Sequence, residues 1–194
     1  MKKINLIIKE SIKIKESIIN NKNILCEIEK IVEKFVFLFK SNKKILFCGN
    51  GGSAADAQHL AAEFSGRFYI DREPLDAEAL HCNTSYLTAV ANDYSYDEIY
   101  SRLVKAKGQK GDVLVGLSTS GNSKNIIKAI ETANQIGMIT VGFTGESGGK
   151  MKDICQYLIN VPSNDTPRIQ EAHMMIGHII CELVEKELFS KESK

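Results

Sequence analysis

The chain has 194 residues, 43% hydrophobic and 25% charged, with 25 basic against 24 acidic side chains and a formal net charge of +1. That length fills one well-packed core and is too short for two full-sized domains. The even balance sets up no long-range field for nucleic acid or an anionic membrane, and no apolar run approaches the ~20 residues that span a bilayer, so an anionic ligand must be held by a local site.

Isoleucines recur at helical spacing over residues 4–19, and a second periodic stretch covers 24–39, predicting two amphipathic helices that pack on the core or on a partner subunit. Lys9, Glu10, Lys13, Lys15 and Glu16 interrupt the N-terminal segment, so it does not read as a secretory signal and the chain is expected to be cytoplasmic. Five scattered cysteines without a C-x-x-C pair (Cys26, Cys48, Cys82, Cys155, Cys181) read as buried free thiols in a reducing compartment, with no cysteine zinc site.

From residue 44 the rhythm changes. A buried strand over 45–48 runs into Gly49-Asn50-Gly51-Gly52, and Ser53 is placed to cap a helix to about residue 64. A short strand over 77–80 and helices over 85–91 and 96–107 follow. A continuous apolar strand over 112–117 then ends in Ser118-Thr119-Ser120-Gly121-Asn122-Ser123 and a helix to about 136. A strand over 139–144, a short helix near 150–155, a strand over 157–161 and a long helix over 168–189 opened by Pro167 complete the chain. Strand–helix alternation of this kind predicts an α/β fold with a largely parallel sheet, whose ligands bind beyond the carboxyl ends of the strands.

Two turns lie at those ends. The first, Gly49 to Ala54, formally matches the dinucleotide pattern G-x-G-x-x-G/A, but the next strand ends in Leu80-His81-Cys82 without the acid that would hold a ribose. It serves equally as an anion or sugar site or as a plain tight turn. The second places the hydroxyls of Ser118, Thr119, Ser120 and Ser123 at a helix N-terminus, a pattern suited to a phosphate monoester without a Walker lysine. Asp56, His59 and Glu63 form a polar stripe on the first of the following helices; His59 and Glu63, four apart, can share a metal, act as acid and base, or form a solvated pair. On the last helix, Gln170 and His178 lie about 80° apart and can face one cavity, whereas His173 lies about 140° from His178 and cannot join it.

The segments Cys48 to Glu63, Ala91-Asn92-Asp93, Ser118 to Ser123 and Arg168-Ile169-Gln170-Glu171-Ala172-His173 resemble the phosphoheptose isomerases, in order and over nearly the whole chain. The resemblance implies the sugar isomerase (SIS) fold: a flavodoxin-like three-layer sandwich with an N-terminal helical hairpin and a long C-terminal helix, in one domain spanning residues 1–194. It implies an aldose–ketose isomerase of sedoheptulose 7-phosphate that supplies heptose precursors for lipopolysaccharide or capsule. It further implies a homotetramer with active sites at subunit interfaces and a zinc ion on His59, Glu63, Gln170 and His178. Sugar and phosphate contacts carry onto Asn50, Gly51, Gly52, Ser53, Glu63, Asn92, Asp93, Ser118, Thr119, Ser120, Ser123 and Gln170. Glu63 and His178 read as the proton-transferring pair, with Asp56 assisting ring opening. The competing readings are a non-enzymatic SIS tetramer that binds the replication initiator DnaA, which does not keep Glu63, Ser120 and His178 as the isomerases do, and a sugar-phosphate-sensing module, which lacks a basic helix-turn-helix here.

Overall fold

Period-two alternation inside short buried strands decides the layering. In a computed structural model, which describes residues 1–190, Ile45 and Phe47 of β1 (Ile45–Gly49) face one layer while Leu46 and Cys48 face the other. β3 (Val113–Leu117) repeats the device, Val113, Val115 and Leu117 against Leu114. With β2 (Ala77–Ala79), β4 (Ile139–Thr144) and β5 (Tyr157–Asn160) they form a wholly parallel sheet in the order β2-β1-β3-β4-β5.

One face carries α1 (Lys2–Ile19), α2 (Lys22–Lys40), α3 (Gly52–Ser65) and α7 (Thr166–Phe189); the other carries α4 (Thr84–Asp93), α5 (Ile99–Lys107) and α6 (Lys124–Ile136). The strand order reverses between β1 and β3, and there α3 departs to one face and α6 to the other. This opens the crevice in which doubly wound sheets bind ligands.

Several boundaries differ from the sequence reading. Gly51, at φ +56°, occupies the N-cap of α3, while Ser53 lies inside the helix and is buried, so it is not the cap. The tight turn after β1 demands a left-handed residue at that point, which glycine supplies without steric cost. The stretch read as one helix over 96–107 is a 3₁₀ turn, Tyr96–Glu98, followed by α5, and the short helix near 150–155 is a 3₁₀ turn at Gly149–Asp153. All five cysteines are free, but Cys26 and Cys82 are exposed rather than buried: Cys26 lies off the apolar stripe formed by Ile24, Ile28, Ile31 and Phe35.

Asn21 caps α2 by accepting from the N–H groups of Asn23 and Ile24. Of α1 only Ile18 is buried; Ser11 Oγ donates to Glu171 on α7 at 2.8 Å. α2 crosses the free edge of β5, where the Leu158 N–H donates to Glu27 Oε1 at 3.3 Å. Among the described residues no helix is long and apolar enough to cross a membrane.

His173 is fully buried on α7, its ring edge-on to Phe143 and its Nε2–H donating to the Thr144 carbonyl at 3.1 Å. Burial lowers its pKa to about 4, a drop only partly offset by that hydrogen bond. The unfolded chain takes up this proton below about pH 6.5 and the folded chain only near pH 4, so the neutral ring stabilises the fold above pH 6.5 and that stability is lost between the two values. Urea unfolding of the wild type should therefore show stability falling by up to about 3 kcal/mol between pH 6.5 and 4 through this group. His173→Gln should remove that part of the slope, and equal slopes in the two proteins would refute the assignment.

Candidate active site

Three turns at the carboxyl ends of β1, β3 and β4 are joined by hydrogen bonds into one rim. In the first, the Tyr100 hydroxyl donates to the Gly49 carbonyl and the Tyr96 hydroxyl to Asn50 Oδ1 at 3.1 Å. The Asn50 amide also pairs reciprocally with Asn125 on α6: Asn50 Nδ2 donates to Asn125 Oδ1 at 2.9 Å, and Asn125 Nδ2 donates to Asn50 Oδ1 at 2.8 Å. In the second turn Ser118 and Ser123 share a hydroxyl–hydroxyl bond of 3.0 Å, and Ser120 Oγ accepts from the Asn122 N–H at 3.2 Å. Ser120 is exposed, Thr119 half-buried and Ser118 buried, so the hydroxyls grade from the protein interior to the rim.

The third turn braces the second. The Gly145 N–H donates to the Thr119 carbonyl, the Met151 N–H to the Gly121 carbonyl and the Lys150 N–H to Asn122 Oδ1. Gly121, at φ +64°, allows the approach: a Cβ there would overlap the Gly148 carbonyl.

The second cluster lies farther along α3 and α7, where those helices cross closely. A Cβ on Gly177 would sit 2.5 Å from Leu60 Cδ2, and Leu60 is itself buried. The residues next to these two in sequence, His59 and His178, meet with Nε2 atoms 2.9 Å apart, and Glu63 Oε1 lies 3.2 Å from His59 Nε2. Two imidazole nitrogens this close need a shared proton or a cation between them. Ligand atoms of His59, Glu63 and His178 all lie within 4.8 Å of one another, and ligands about 2.1 Å from one tetrahedral ion stand roughly 3.3 Å apart, so the three can hold a metal ion.

A buried network fixes the lower end of the same pair of helices. Glu185, one heptad beyond His178, accepts from the N–H groups of Phe68, Tyr69 and Ile70 and from Arg72 Nε at 2.7–3.0 Å. Arg72 in turn donates to the carbonyls of Glu63, Phe64, Gly66 and Glu73. Burial raises the Glu185 pKa, but three backbone donors and Arg72 outweigh it and hold the carboxyl below its ordinary value.

Gln170 lies against the first turn, its amide filling the space a Gly52 side chain would need. It therefore joins the rim to the helix that carries His178. Asp56 is half-buried with Oδ2 shielded and unpaired; burial raises its pKa, and His59 partly opposes the rise. Asn92 and Asp93 are exposed at the end of α4, Asn92 Nδ2 donating to Asp93 Oδ1 at 2.9 Å, and Tyr96 ties that helix end to Asn50. Ser53 is buried within α3. Sequence reasoning missed Asn125, Asn122, Tyr96, Gly177 and the Arg72–Glu185 pair. The local signal was a glycine (Gly177) and an acid (Glu185) on the otherwise mostly apolar buried stripe of α7.

Residues 8–145 match the SIS domain family model. Over 95% of this chain and 94% of the relative, the sequence is 54% identical to the phosphoheptose isomerase of Clostridium acetobutylicum. The phosphoheptose isomerase 2 of Campylobacter jejuni is 52% identical over 94% of this chain and 90% of its own. Among solved structures, the phosphoheptose isomerase of Neisseria gonorrhoeae superposes with a TM-score of 0.90 at 40% identity, covering 95% of this chain and 98% of that one.

Gly177→Ala should force α3 and α7 apart, lowering stability by about 1–3 kcal/mol and weakening Co²⁺ binding at the histidine pair about tenfold or more, read by competition with a chromophoric chelator. Unchanged Co²⁺ affinity would show that the crossing does not set the cluster.

Proposed function

The chain belongs to the phosphoheptose isomerases of the SIS-domain family and is a sugar-phosphate isomerase; we propose that it converts sedoheptulose 7-phosphate to D-glycero-D-manno-heptose 7-phosphate. The observation that carries this reading is the convergence of His59, Glu63 and His178, a cluster suited to proton transfer, on the same two helices whose rim ends meet at Gly52 and Gln170, with the serine-rich turn suited to a phosphate monoester across the crevice. It also favours the enzyme over the initiator-binding reading.

In the proposed pose the phosphate rests at the N-terminus of α6, held by Ser118, Thr119, Ser120 and Ser123. The sugar chain runs past Asn50, Gly51 and Gly52, with Asn92, Asp93 and Gln170 orienting its hydroxyls. Ser53, buried inside α3, supports this turn from beneath. Asp56, one turn nearer the rim than His59, assists ring opening. The Glu63 carboxylate removes a proton from C1 of the ketose while His178 donates one to O2, which gives the enediol. Glu63 then returns its proton to C2 as O1–H passes its proton back to the imidazole, leaving the aldose carbonyl at C1. Both groups end as they began.

The metal we assign to His59, Glu63, Gln170 and His178 is zinc, whose preference for imidazole nitrogen and carboxylate oxygen matches the three clustered donors, with Gln170 to add an amide oxygen from its place against Gly52. When bound it would supply positive charge to the developing oxyanions, and Glu63 and His178 would then move protons through the carboxylate oxygen and ring nitrogen that it leaves free. We further propose a cytoplasmic homotetramer with active sites at subunit interfaces. Supporting this, α1 leaves Ile4, Leu6, Ile7, Ile8 and Ile12 exposed along a helix whose apolar content exceeds what its own domain covers. The product would enter heptose synthesis for lipopolysaccharide or capsule.

Incubation with sedoheptulose 7-phosphate should yield an aldoheptose phosphate by NMR, and Glu63→Gln and His178→Ala should each lower kcat by about 10²–10⁴-fold with circular dichroism unchanged. Near-normal turnover in both variants rejects the catalytic pair. Elemental analysis should find zinc, and chelation should reduce activity or Tm; protein free of metal with full activity retires the ligand set.

A further inference from the structure

β1 and β3 are hydrogen-bonded neighbours as far as Gly49 and Leu117, but beyond that pair the backbone ladder ends and α3 and α6 diverge to opposite faces. What then sets the distance between the two ligand-facing turns is a side-chain contact. Asn50 and Asn125 meet amide to amide across the crevice, each donating once and accepting once, and Tyr96 adds a second donor to Asn50 Oδ1. Asn125 is buried and its Oδ1 also accepts from the Ile126 N–H at 3.0 Å, so the side chain is held by its own helix. It cannot reach a ligand directly. Asn50, half-exposed on the rim, can.

We propose that Asn125 is a positioning residue that fixes the gap between the sugar-side turn and the phosphate-side turn by clamping the Asn50 amide across the strand-order reversal. The proposal rests on the isomerase reading, because only a ligand that spans both turns senses their spacing. Without Asn125 the half-exposed Asn50 amide loses the acceptor of its Nδ2 and keeps only the Tyr96 contact to Oδ1, so it is free to swing about that contact toward solvent, into the space the sugar needs. A ligand touching the second turn alone would be indifferent to the change.

Isothermal calorimetry on the full-length protein tests this with two probes, sedoheptulose 7-phosphate and inorganic phosphate. Asn125→Ala and the uncharged, similar-sized Asn125→Leu, which fills the space but neither donates to nor accepts from Asn50, should each weaken sugar-phosphate binding about tenfold, raising KM more than they lower kcat. Inorganic phosphate should bind both variants as it binds the parent. Asn50→Ala combined with Asn125→Ala should be no worse than the poorer single variant within about twofold, because the pair acts as one unit. The proposal is overturned if sugar-phosphate affinity is unchanged in both variants, if phosphate binding weakens in parallel, or if the two single effects multiply. A parent that binds the sugar phosphate without converting it would defeat the isomerase reading while leaving the Asn125 comparison readable from Kd.

Discussion

The candidate constellation depends on how closely two helices approach. Most helix pairs stand 8–10 Å apart because side chains fill the gap between them. Where α3 meets α7, Gly177 removes one of those side chains and Leu60 occupies the space, so the residues flanking the contact are pressed together. The meeting of His59 and His178 is thus a product of apolar packing. The Arg72–Glu185 pair serves the same end from below. It ties the C-terminal carbonyls of α3, including that of Glu63, to the stripe of α7 that bears His178. Two charges this deeply buried are tolerated only because nearly every donor and acceptor has a partner, and removing either would leave the other stranded.

The rim works by a different principle. Hydroxyls, glycine backbones and helix N-termini supply weak, neutral donors, which suits a chain with almost no net charge. A phosphate held there, as proposed, by hydroxyls and backbone N–H groups would depend on their placement, and each turn is held by its neighbour: the first by Tyr96, Tyr100 and Asn125, the second by the third through Asn122 and Gly121. Gln170 joins the two regions, with its amide against Gly52 and its helix running on to His178.

The layered α/β architecture and the two ligand-facing turns were legible in the sequence because they follow local rules. Buried parallel strands read as continuous apolar runs, and Gly51 and the serine cluster mark strand-to-helix turns directly. His173 was separated from His178 by helical angle alone, and its burial against Thr144 agrees with that reading. What was not legible came from tertiary contacts. Nothing local distinguishes Asn125 from any polar residue in the first turn of a helix, and its partner is 75 residues away. Ser53 looked like a cap because serine favours that position, yet the backbone gave it to Gly51. Cys26 looked buried because it sits in an amphipathic helix, but it falls off the apolar stripe.

The position of α2 also constrains how copies of the chain can meet. At one border of the sheet stands a strand of three residues, and at the other the Leu158 amide is already taken by Glu27. Short or partly occupied borders of this kind disfavour the addition of a strand from a second chain. Contact between copies then falls to side chains on helical surfaces, where size and shape select the partner rather than the repetitive pattern of the backbone.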